Sequence, residues 1–153
     1  MNVEISDSGT SITENEINEF EKTYDVSIPP EYFTFLLENN GGRPKPSDFL
    51  IPGKEGEESE WVSIARFLGI GVSQTNSLEY VLRVFKYRLP SDIFPIARDP
   101  GGNLICISTN PHNLGKILFW DHEFESDSDE EPTYNNVYYI ADSFDEFLSA
   151  LTE

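Results

Sequence analysis

The sequence predicts an α+β fold: a single, mostly antiparallel sheet with about four helices packed on it. Three observations predict it. Apolar residues recur at helical spacing in four separate segments. Six short apolar runs read as strands. The later strands follow one another through turns, which suits antiparallel pairing better than the long crossover a parallel pair needs. At 153 residues, the chain is expected to be one domain spanning 1–153.

The first helix is announced by Thr13 and Glu16, which fit a T-x-x-E capping box, with Ile12 and Ile17 placed as a hydrophobic staple. Ile17, Phe20 and Tyr24 then give it one apolar face. Pro29-Pro30 opens a second helix, because proline is tolerated in a first turn. Asn39-Asn40-Gly41-Gly42 stops it with a left-handed cap. Residues 49–51 and 61–64 read as short strands around an acidic tip, 54–60. Ser77 caps a third helix whose Leu78, Val81, Leu82 and Phe85 share a face, and Pro90 lies beyond its end.

Strands follow at 94–97 and 104–108. Between them Asp99-Pro100-Gly101-Gly102 suits a type II turn, proline setting one φ and glycine taking the positive one. Residues 116–120 and 137–140 are two more strands, separated by a long acidic loop. Ser143 and Glu146 then propose a second capping box, with Phe144, Phe147, Leu148 and Leu151 as the inner face of the last helix.

Charge narrows the function. The chain carries 28 acidic residues against 10 lysines and arginines, a formal charge of −18. Nucleic acid and anionic lipid both need clustered cations, so neither is an expected partner; a basic protein is. No apolar run approaches the length of a membrane span. The N-terminus lacks a basic region followed by an apolar stretch, so the expected location is cytoplasmic.

No catalytic residue can be assigned. The single cysteine, Cys106, sits between Ile105 and Ile107 in a strand, where it reads as a small core hydrophobe. Serine-nucleophile, phosphate-loop and dinucleotide fingerprints do not occur. Asp121-His122-Glu123 with His112 is a poor zinc set, and the acidic loop fails the EF-hand pattern at Pro132 and Tyr138. No cofactor or metal is expected. The glycines of the 99–103 turn could form an anion nest, although turn chemistry explains them more simply.

The candidate contact residues are acidic and aromatic. Asp121, Glu123, Glu125, Asp127, Asp129, Glu130 and Glu131 place seven acids in eleven positions, and Glu55, Glu57, Glu58 and Glu60 occupy the other tip. Such a concentration is either an electrostatic lure for a basic partner or a solvated loop that maintains solubility. Trp61 and Trp120 each adjoin an acidic tip, and each is either an interface anchor or a core residue.

Several of these segments together resemble the SMI1/KNR4 family, also called the SUKH superfamily. The run from Ile28-Pro29-Pro30-Glu31-Tyr32 to Asn39-Asn40-Gly41-Gly42 is similar to that family's proline-started helix. Phe94-Pro95-Ile96-Ala97-Arg98-Asp99-Pro100-Gly101-Gly102-Asn103-Leu104-Ile105-Cys106-Ile107 resembles its central hairpin. Gly115-Lys116-Ile117-Leu118-Phe119-Trp120-Asp121-His122-Glu123 resembles the next strand, and Ser143-Phe144-Asp145-Glu146-Phe147-Leu148 the closing helix. The resemblance spans about residues 13–151. It implies one curved sheet with about four helices and a non-enzymatic, protein-binding role. Bacterial members of the family are regarded as immunity proteins that neutralise a cognate polymorphic toxin, and eukaryotic members as regulatory scaffolds. The expected partner is thus a basic toxin domain. The alternatives are a scaffold role or a switch responding to a cation or small molecule.

Overall fold

A computed structural model of the chain describes residues 3–127 and 129–153. In chain order the elements are β1 (Glu4–Ser6), α1 (Glu14–Tyr24), α2 (Pro30–Asn39), β2 (Arg43–Lys45), β3 (Asp48–Ile51), β4 (Glu60–Ser63) and β5 (Arg66–Phe67). They continue with α3 (Leu78–Phe85), β6 (Ile93–Arg98), β7 (Leu104–Ser108), β8 (Ile117–Trp120), β9 (Val137–Ala141) and α4 (Phe144–Ala150). Short 3₁₀ turns at Gln74–Asn76 and His122–Phe124 complete the list.

The α+β class and the antiparallel pairing hold, and four α-helices are present among the described residues. The sheet is subdivided more than expected. Strands β5-β6-β7-β8-β9 form a five-stranded meander, while β1–β2 and β3–β4 are separate two-stranded ribbons. The β3–β4 hairpin does not join the meander. Its strand β3 instead exchanges backbone hydrogen bonds with Thr152, just past α4, through Asp48 (both 2.9 Å).

Helix starts follow the predicted chemistry with one difference. At α1 the capping box is complete: the Glu16 N–H donates to Thr13 Oγ1 (3.1 Å) and the Thr13 N–H to Glu16 Oε1 (3.0 Å). At α4 the Glu146 N–H donates to Ser143 Oγ (3.1 Å), but among the described residues no reciprocal bond from Ser143 is formed. Helix α2 ends as expected in left-handed backbone, which begins at Asn40 (φ 47°). The turn at 99–103 differs from the expected type II form. Its positive φ falls on Gly102 (93°), not Gly101, because the Asp99 carboxylate takes the Gly101 and Asn103 N–H groups (2.9 and 2.8 Å). That carboxylate fills the space an external anion would need, so the turn is structural.

Both faces of the meander are covered. Consecutive strand residues point to opposite sides. Phe119 accordingly faces Phe49, which meets Phe147 of α4 edge-on (5.3 Å), whereas Trp120 meets Phe85 of α3 edge-on (5.5 Å). This is why β6, β7 and β8 are apolar along almost their whole length. Tyr32, Phe35, Phe67 and Phe144 form a second aromatic cluster that ties α2 and α4 to the start of the meander.

Tyr32 is fully buried, and its single hydroxyl proton is shared between the carbonyl oxygens of Leu68 and Ile96. Burial pushes its pKa well above the ordinary phenol value. The folded chain therefore keeps a proton that the unfolded chain gives up at about pH 10. Stability from this group is intact below that pH and falls as pH rises further. Tyr32→Phe is expected to cost about 1–2 kcal/mol at neutral pH, from the lost hydrogen bonds. Urea titrations at pH 7 and 11 check this: the gap between wild type and variant must shrink at the higher pH.

Candidate partner-binding surface

The β3–β4 acidic tip meets the base of the long acidic loop, about sixty residues later in sequence, at Asp121, Phe124 and Tyr138. The β3–β4 tip is shaped by Lys54 and Glu57: the Glu57 N–H donates to the Lys54 carbonyl (2.8 Å) and the Lys54 N–H to Glu57 Oε1 (3.1 Å). The Lys54 ammonium then crosses to the long loop, donating to the Asn135 carbonyl (2.8 Å) and lying 4.5 Å from the centre of the Tyr138 ring. The neighbouring Asn136 closes the base of the loop, donating from Nδ2 to the Asp121 carbonyl (2.9 Å) while its own carbonyl accepts the Asp121 N–H (2.9 Å).

Between them lies a cleft of about 220 Å³, walled by Glu57, Glu58, Glu60, Asp121, Phe124 and Tyr138. Its field is negative. The Tyr138 pKa is raised, first by burial and then by the carboxylates of Glu57, Asp121 and Glu60. Among the described residues no lysine or arginine forms an ion pair with these four acids. Four carboxylates outside any described ion pair, beside a ring that already holds the Lys54 ammonium, suit a further cationic side chain supplied by a partner.

The remaining candidates divide. Trp61 is 62% exposed and pairs across the ribbon with Leu50, also exposed. Glu60 follows the opposite alternation and turns to the cleft side with Ile51. Trp61 and the cleft thus occupy opposite faces of one two-stranded ribbon. Among the described residues the outer edge of β4 pairs with no strand. Phe124, 66% exposed, is the most exposed of the aromatic residues lining the cleft; the sequence signal for it was a lone phenylalanine inside an acidic run.

Five candidates are corrected or displaced. Trp120 is 1% exposed and belongs to the core, because a strand covered on both faces offers it no outward side. Glu125 is engaged within the molecule: Arg88 grips it with two hydrogen bonds (2.7 and 3.1 Å) while stacking its guanidinium 4.3 Å from the Phe85 ring. Asp129 lies outside the cleft, beside Lys86 and Tyr87 in a separate hollow. Glu123 and Asp127 are exposed on the loop and line no wall of the cleft.

Among the described residues the one grouping of metal-ligand type is Asp127, Asp129 and Glu130, all exposed, and it includes neither histidine. His122 is instead bonded through Nε2 to the Gly101 carbonyl (2.8 Å), which docks the start of the acidic loop on the β6–β7 turn. Cys106 is fully buried, and burial raises its thiol pKa, opposite to what a nucleophile needs.

A five-stranded antiparallel sheet with four helices, carrying an acidic cleft at one end, defines an α+β domain whose outstanding chemistry is a charged surface. The sequence matches the SMI1 / KNR4 family (SUKH-1) over residues 11–150, and the chain belongs to that family. It is similar to the SPbeta prophage-derived uncharacterized protein YokK of Bacillus subtilis (strain 168), with 30% identity over 154 residues, 92% of this chain and 75% of the relative. Among the described residues no helix is long and apolar enough to cross a membrane.

Proposed function

We propose that this chain is a non-enzymatic immunity protein of the cytoplasm that works as a single domain, binding a basic toxin domain and blocking it sterically. Membership of the SMI1 / KNR4 family supports a protein-binding role. The observation that carries the reading is the convergence of Glu57, Glu58, Glu60 and Asp121 around one cleft, without a described counter-ion, beside an unpaired strand edge. Such an arrangement raises the rate of encounter with a cationic surface, and the exposed Trp61 and Phe124 offer apolar contact once the partner arrives.

The experiment is a titration of this protein with the purified toxin domain encoded by the adjacent gene, followed by calorimetry at rising salt together with the toxin's activity. The expected result is a stoichiometric, inactive complex that weakens as salt rises. A neighbouring toxin that stays active in the presence of excess protein would sink the proposal.

A further inference from the structure

A second surface has the opposite character. Two hollows of about 620 and 520 Å³ share Asp25, Val26, Ser91, Ile93 and Phe94, and so form one continuous trough. One wall is the end of α1 and the turn into α2; the other is α3 and the turn that follows it. Strand β6 forms the floor. Along it lie Val26, Leu82 and Phe94, and at its far end Leu114 stands 69% exposed.

At the α3 end the rim is cationic. Arg83 and Lys86 both line the trough, and among the described residues neither forms an ion pair, although the chain holds 28 acidic residues to pair with. Each instead lies against a tyrosine ring, Arg83 at 5.6 Å from Tyr80 and Lys86 at 5.4 Å from Tyr87. Asp25 lines the same trough, and Asp129, Glu130 and Glu131 line a neighbouring hollow with Lys86, yet none of them forms an ion pair with either cation among the described residues. In a molecule of charge −18, two such cations beside an apolar floor mark the place where a further carboxylate is locally accepted. Solvent screening makes this local arrangement count: beyond about 8 Å at physiological salt the repulsion from the rest of the molecule fades.

We infer that this trough docks a short acidic–apolar peptide segment of a second protein partner, its carboxylates on Arg83 and Lys86 and its apolar side chains over Val26, Phe94 and Leu114. Charge complementarity sets the direction. The end that carries Leu114 also carries Glu31, which rejects an acidic residue there. The trough shares no lining residue with the acidic cleft, so the two surfaces can be occupied together or separately.

The test uses a fluorescein-labelled peptide, Asp-Glu-Gly-Phe-Leu-Ser-Leu, in an anisotropy titration against the full chain. A version with two lysines in place of the acids serves as the opposite-charge probe. The acidic peptide is expected to bind. The double variant Arg83→Glu with Lys86→Glu is expected to weaken it at least about tenfold and to favour the lysine peptide instead. Glu57→Gln with Glu58→Gln is expected to leave acidic-peptide binding within about twofold, since those acids lie on the other surface.

In the wild-type chain the acidic peptide must also move the backbone amide resonances of Val26, Phe94 and Leu114, a readout that needs no variant to fold. Absence of acidic-peptide binding, equal shifts of Val26, Phe94 and Leu114 by the two peptides, or acidic-peptide shifts confined to residues of the acidic cleft would each overturn the inference. So would concentration-dependent self-association of the wild type that the double variant abolishes, which would make a second copy the occupant.

Discussion

Asn40→Ala is expected to destabilise the fold by about 3–5 kcal/mol, through three lost hydrogen bonds and a left-handed backbone. Asn40 is 1% exposed at the end of α2. Its Nδ2 donates to the carbonyls of Thr10 (2.8 Å) and Ile70 (2.9 Å), and its Oδ1 accepts the Ile70 N–H (2.8 Å). Its backbone carbonyl also accepts the Gly9 N–H (3.1 Å). One side chain thus joins the N-terminal segment, the end of α2 and the segment after β5. The fit leaves no slack, since a Cβ on Gly69 would stand 2.5 Å from the Asn40 carbonyl oxygen.

Alanine would leave the Ile70 N–H without its acceptor and would hold φ at 47°, where asparagine is tolerated and alanine is strained. For a chain of this size the loss corresponds to roughly 10 °C in Tm. Asn40→Gly separates the two causes. It relieves the backbone but not the lost bonds, so it is expected to recover about 1 kcal/mol of the deficit. Urea unfolding of the three proteins decides the matter. A midpoint for Asn40→Ala within about 1 kcal/mol of wild type would show that these bonds carry no net stability.

Much of the fold was legible because its signals are local. The Thr13–Glu16 box, the Pro29-Pro30 start and the Asn-Gly-Gly stop each act within one turn of helix, and all lie where the sequence placed them. The short strands β1, β2 and β5 were not legible. A run such as Glu4-Ile5-Ser6 has no periodicity of its own and is a strand only because Arg43-Pro44-Lys45 lies beside it. The separate β3–β4 ribbon depends on a partner at Thr152, about a hundred residues away.

The candidate site divides on the same line. Two acidic runs are visible in sequence, but which of their members share a cleft is a product of chain topology. Whether a tryptophan at a strand end faces out is decided by what covers each side: Trp120 lies under α3, and Trp61 lies under nothing. The capture of Glu125 by Arg88, 37 positions earlier, was hidden for that reason too. No local rule pairs residues so distant.

Trp61→Ala and the neutralisation of Glu57, Glu58, Glu60 and Asp121 are expected to affect different steps of binding to a basic partner. The four acids act before contact, through a field that salt screens. Converting them to glutamine or asparagine is expected to slow association by about 10–10²-fold at low ionic strength, with the difference shrinking as the Debye length contracts. Trp61 acts only once surfaces touch. Its truncation is expected to cost about 2 kcal/mol, a roughly thirtyfold faster dissociation with association nearly unchanged. Trp61 and Glu57 are exposed, so melting curves of the variants should stay close to wild type.

Trp61 and the cleft lie on opposite faces of the β3–β4 ribbon, so only a partner that wraps the free β4 edge can feel both. In that case the combined variant loses affinity by the sum of the separate losses, within about 0.5 kcal/mol. Stopped-flow association and surface-resonance dissociation measure the two steps independently. A Trp61→Ala variant with wild-type dissociation would mean that the partner approaches the cleft alone, from the Phe124 side.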